Sequence, residues 1–118
     1  MNEIIVYGIA NCDTVKRARA WLGEQQVAHR FHDFKKAGVP AVELDRWLKE
    51  AGWERLLNRQ GSTWRKLDDA AKAAVSDAAT ARELMLQQPS VIKRPVVQWG
   101  DASVSVGFDA ADWQGRLR

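Results

Sequence analysis

The chain has 118 residues, 46% of them hydrophobic, with a formal net charge of +3 and a single cysteine. That length and composition suit one folded domain with its own core and exclude a disordered chain. One thiol rules out an internal disulfide, and no run approaches the ~20 apolar residues of a membrane span.

Residues 4–7 (Ile-Ile-Val-Tyr) are apolar on both faces, which predicts a central strand. This opening run is too short for the core of a signal peptide. Together with the lone thiol it leads us to expect a cytoplasmic protein. Gly8 and Asn11 mark a turn, and Asp13 and Thr14 are good N-cap residues for a helix running to about Glu24. Val15, Ala18 and Leu22 form its inward face, with Trp21 alongside. A second strand is expected over Ala28 to Phe34, giving a βαβ unit with parallel strands.

The middle of the chain reads as helical. Pro40 fits a first turn, Leu44, Trp47, Leu48 and Ala51 fall at i, i+3, i+4 and i+7, and Gly52 ends the helix. A polar loop follows over residues 58–65. Further helices are expected from Asp68 to about Val75 and from about Ala79 to Gln88, the latter burying Leu84 and Met85 before Pro89 stops it. Val96 to Trp99 and Ser103 to Val106 read as hairpin strands about a Gly100-Asp101 turn. A last helix, Ala110 to Leu117, carries Trp113 and Leu117 on one face. The layout is α/β: a mixed sheet with flanking helices and a helical insert.

Cys12 carries the chemistry. A free Cys is most often a small apolar filler, but this one lies among Asn11, Asp13 and Thr14, where a helix begins. Helix N-termini favour a thiolate, and Lys16 and Arg17 add positive potential that Asp13 opposes. With Val15 three residues on, there is no C-x-x-C partner, so turnover requires a thiol from elsewhere. Lys93-Arg94-Pro95 is a second feature. It is either a strand-start proline beside solvated cations, or a cis-Pro95 near the thiol with Arg94 holding an anion. Arg59 alone reads as a surface residue. His29 and His32, three apart on an expected strand, cannot chelate together, and no metal site is expected. Gly8 stands outside any nucleotide-binding fingerprint. The positive charges are spread along the chain, which speaks against a nucleic-acid surface and suits a small anionic ligand.

Tyr7 to Thr14, Trp21-Leu22, Asp33-Phe34-Lys35-Lys36, Leu57-Asn58-Arg59-Gln60-Gly61, Pro89 to Pro95 and Val106-Gly107-Phe108-Asp109 together resemble the ArsC/Spx family, most closely its YffB branch. The resemblance implies a single domain over 1–118. Its thioredoxin-like core would comprise 1–38 and 90–118, with a helical insert at 39–89. It implies Cys12 as the nucleophile, Arg59 and Arg94 as anion-binding arginines, and Pro95 as the family's cis-proline, with Asn11, Thr14 and Lys16 in support. Arsenate reductases of the family carry a third arginine where this chain reads Val106-Gly107-Phe108, and Asp13 brings negative charge toward an oxyanion. One lost charge-assisted contact costs ~1.5–3 kcal/mol, tenfold to a hundredfold in affinity. The resemblance therefore implies a glutathione-dependent thiol oxidoreductase forming a mixed disulfide or an oxyanion adduct. No bound cofactor is implied; glutathione is the co-substrate, and glutathione or glutaredoxin the partner. Arsenate reduction proper and Spx-like binding of transcription machinery are the alternatives it offers.

Overall fold

The computed structural model describes residues 3–117. In chain order the elements are β1 (Ile5–Gly8), α1 (Asp13–Glu24), β2 (Arg30–Asp33), α2 (Phe34–Ala37), α3 (Ala41–Ala51), α4 (Trp53–Leu56), α5 (Ser62–Arg65), α6 (Asp69–Ala73) and α7 (Ala78–Gln87). A 3-10 turn (Pro89–Val91), β3 (Val96–Gln98), β4 (Val104–Val106) and α8 (Ala110–Arg116) complete the chain. They divide into two compact units, residues 1–37 with 94–118, and residues 38–93.

The first unit is built on a four-stranded mixed sheet of order β2-β1-β3-β4. The doubly apolar β1 is central, as its pattern requires. It pairs in parallel with β2, where Gly8 meets Asp33, and antiparallel with β3. The β3–β4 hairpin turns through Gly100 to Ala102. Asp101 stabilises the turn by accepting bonds from the Ser103 amide and hydroxyl. One sheet face presents Val6 and Val97 to Ala18 and Leu22 of α1 and to Trp113 of α8, with Trp99 completing the buried cluster. Aromatic edges lock it: Trp113 lies 5.0 Å from Trp99, 4.8 Å from Phe108 and 6.0 Å from Trp21, all near-perpendicular. Two buried polar pairs lie here, Tyr7 donating to Gln98 and the Trp99 indole to Ser105.

The second unit is a helical insert. Leu44 and Trp47 of α3 are buried, as are Leu56, Ala81, Met85, Val91 and Ile92. Gly52, at φ +86°, caps α3 where a side chain would be strained. A capping box between Asp77 and Thr80 starts α7.

Several boundaries differ from the sequence expectation. The α1 N-cap is Cys12, not Asp13 or Thr14, which are already helical. β2 is confined to Arg30–Asp33, because its parallel register with the four residues of β1 ends there. His29 therefore precedes the strand. Pro40 is the α3 N-cap, not part of its first turn. The polar loop winds into α5, a single turn too short to show a hydrophobic period. Leu84, Leu48 and Ala51 are only half-buried.

Trp113→Ala removes the residue on which the aromatic cluster converges. We expect a loss of about 3–5 kcal/mol, measured as a lower urea midpoint at unchanged slope.

Candidate active site

β1 runs out of the sheet at Gly8, and Ile9 to Asn11 lead directly into α1. Cys12 takes the N-cap position with extended backbone (φ −137°, ψ 123°), and its carbonyl accepts the first helical bond from Lys16 N–H at 2.9 Å. A sulfur thus occupies the place where a serine or aspartate oxygen ordinarily satisfies the orphan amides of a helix start. Cys12 is half-buried. The Thr14 and Val15 amides of the helix start act on its sulfur.

Partial burial pushes the thiol up, since it penalises the charged form. The Val15 amide, the Arg94 guanidinium as hydrogen-bond donor and as charge, and the Thr14 amide together outweigh it. They hold Cys12 below its ordinary value. The cation responsible is Arg94. Lys16, expected to help from the first turn, instead extends its ammonium toward the Asn11 side-chain oxygen at 3.5 Å. Arg17, the other expected helper, is exposed and does not act on the sulfur.

Arg94 lies just before β3, the strand neighbouring β1 on the side opposite β2. The Arg94–Pro95 peptide bond is cis, and Pro95 is buried, its carbonyl accepting Gly107 N–H at 2.9 Å. That carbonyl is thus engaged within the sheet, not presented to a substrate. Gly8 leaves room for Val15 at the helix start. A Cβ built there would lie 2.9 Å from a Val15 methyl and 3.9 Å from Arg94 Cβ. Helix start, arginine and strand close upon a residue without a side chain. The sequence reading treated Gly8 as a turn marker. A glycine ending an apolar strand is also the signal of close backbone approach, and that signal was present.

The structure therefore gathers Cys12, Thr14 and Arg94-Pro95, with Asn11 and Lys16 paired on the exposed side. Arg59 belongs to the helical insert. It is exposed and follows Asn58, whose side chain accepts the Gln60 and Gly61 amides. Its guanidinium lies 5.5 Å from the Trp53 ring and 5.9 Å from that of Trp64. Among the described residues no three His, Cys, Asp or Glu side chains are placed to hold a metal, and no helix is long and apolar enough to cross a membrane.

Residues 7–115 match the ArsC family. The chain belongs to the ArsC family. An uncharacterized protein of Haemophilus influenzae is 37% identical over 111 residues, covering 94% of this chain and 96% of that protein. The global transcriptional regulator Spx of Streptococcus pyogenes is 26% identical over 102 residues, 84% and 73% of the two chains. Among solved structures, a YffB protein superimposes with a TM-score of 0.91 at 50% identity over 98% of this chain and 99% of that one. An arsenate reductase (ArsC) related protein from Brucella melitensis does so with a TM-score of 0.75 at 49% identity, covering 99% and 96%. This ArsC-family chain is therefore arsenate-reductase-like, and at the coarse level these likenesses support a redox enzyme.

Because only the thiolate reacts with alkylating agents, the Cys12 alkylation rate should plateau above its titration midpoint and fall as pH drops through it. Arg94→Ala removes both contributions of the guanidinium, so the midpoint rises and alkylation at about pH 7 slows severalfold. Rate–pH profiles of the two proteins measure this. Arg94→Lys, which keeps charge but not the fork geometry, should fall between them.

Proposed function

We propose that this ArsC-family chain is a single-cysteine thiol oxidoreductase that works with glutathione. The observation that carries this reading is the depressed Cys12 thiol, held by Arg94 at a helix start in a chain with no second cysteine. Such a thiolate attacks a disulfide and cannot resolve the product itself.

In the forward half-reaction the Cys12 thiolate attacks the glutathione sulfur of a mixed disulfide R–S–S–G. A new S–S bond forms between Cys12 and glutathione, the S–S bond of R–S–S–G breaks, and R–S⁻ leaves and takes a proton from water. A free glutathione thiolate then attacks the glutathione sulfur of that mixed disulfide, releasing oxidised glutathione and restoring the Cys12 thiolate. Over the cycle one free glutathione is consumed: R–S–S–G and glutathione give R–SH and oxidised glutathione. Arg94 favours the thiolate as attacker and again as leaving group, because its charge is neutralised by the anion present at the start and end of each cycle.

Arsenate as the natural substrate has less support. Val106-Gly107-Phe108 holds no arginine, where the resemblance implies that arsenate-reducing members carry a third one. The Spx-like alternative has a similar weakness. Cys12-Asp13-Thr14-Val15 lacks the second cysteine of a dithiol switch.

Intact-mass spectrometry after exposure to oxidised glutathione or to arsenate tests the reading. We expect a single glutathione on the wild-type chain, none on Cys12→Ser with its fold retained, and no change with arsenate. An arsenate adduct formed in preference to glutathione would overturn it.

A further inference from the structure

β1 and β2 are parallel and in register at Gly8 and Asp33, so their carboxyl ends open onto the same edge of the sheet. Crevices outside the carboxyl ends of parallel strands are where α/β proteins receive ligands. A cavity of about 410 Å³ lies at this edge, lined by Ala10, Arg19, Phe31, His32, Asp33 and Lys36 among others. Its wall thus begins in the loop that carries Cys12.

The lining is cationic, two positive side chains against one carboxylate. Asp33 is partly spent, since its Oδ1 accepts the Lys35 amide at 2.9 Å. Arg19 is held in place: its guanidinium stacks on the Phe31 ring with 4.3 Å to the centroid. Stacking fixes the plane of the fork and leaves its edge N–H groups for an anion, the geometry suited to a carboxylate. Lys36 adds a mobile ammonium. The half-buried His32 ring packs 5.1 Å from Tyr7, giving the cavity a firm aromatic floor.

Resting on the glutathione reading of Cys12, we propose that this cavity is the carboxylate-recognition subsite for the glutathione joined to Cys12, with Arg19 and Lys36 as its anion-binding residues. The spans agree. Ala10 and Cys12 are two residues apart, at most about 7 Å between Cα atoms, and an extended tripeptide reaches about 10 Å. A glutathione bonded through its sulfur to Cys12 reaches the cavity with one terminal carboxylate. The loading step is balanced as a disulfide exchange. Cys12 thiolate attacks one sulfur of oxidised glutathione, the Cys12–S bond forms, the glutathione S–S bond breaks, and glutathione thiolate leaves.

The test compares second-order rates of adduct formation on Cys12 with oxidised glutathione and with bis(2-hydroxyethyl) disulfide, which has no carboxylate. Arg19→Ala and Lys36→Ala should each slow the glutathione reaction about threefold to tenfold, the range for partly exposed charge contacts. The uncharged disulfide should react as with wild type. Lys36 is exposed, so its variant keeps the test valid if Arg19→Ala is poorly folded. Wild-type glutathione rates in both variants would overturn the subsite, as would parallel slowing with both disulfides. A wild-type chain that reacts with the uncharged disulfide but not with oxidised glutathione would instead sink the glutathione reading, and the subsite with it.

Discussion

The chemistry of the first unit turns on the donors that converge on the Cys12 sulfur: the Val15 and Thr14 amides of the helix start and the Arg94 guanidinium. Cys12 sits where β1 gives way to α1, and Arg94 lies just before β3. Their meeting depends on β1 and β3 being neighbours. Beside it, the missing side chain of Gly8 leaves room for Val15 at the helix start. The sheet order, the helix start and the glycine are thereby tied to a single electrostatic outcome. Burial alone would keep the sulfur protonated; the converging donors reverse that.

The same geometry limits the chemistry. A thiolate at a helix N-cap is a good attacker, and near Arg94 also a good leaving group, so bonds to its sulfur form and break readily. With one cysteine in the chain, the second thiol of any exchange comes from outside. The parallel pairing of β1 with β2 then places a cationic cavity beside the loop that carries the nucleophile. Nucleophile and cavity share one edge of the sheet because parallel strands end together.

Much of this was legible in the sequence. The doubly apolar run ending at Tyr7 identified the central strand, and Val15, Ala18 and Leu22 identified the buried face of α1. Less legible were features set by partners remote in sequence. Nothing local shows that Arg94, and not Lys16, supplies the charge at the sulfur, because that follows from strand order. The α5 turn escaped notice because four residues carry no period, and β2 was overextended because its limits come from its pairing with β1. The role of Gly8 was signalled by its place at a strand end, yet only packing reveals what it makes room for. The cavity at Arg19 and Lys36 gave no motif at all; a helix, a strand and a following turn each contribute to it.

The surroundings of Cys12 lower the pKa of its thiol in the native chain. The most direct measurement is an NMR titration of the Cys12 Cβ carbon in the unmodified protein, which follows this one ionisation without chemical reaction. The midpoint should lie below the free-thiol value of about 8.5. A midpoint at or above that value would contradict it, whatever adducts the protein forms.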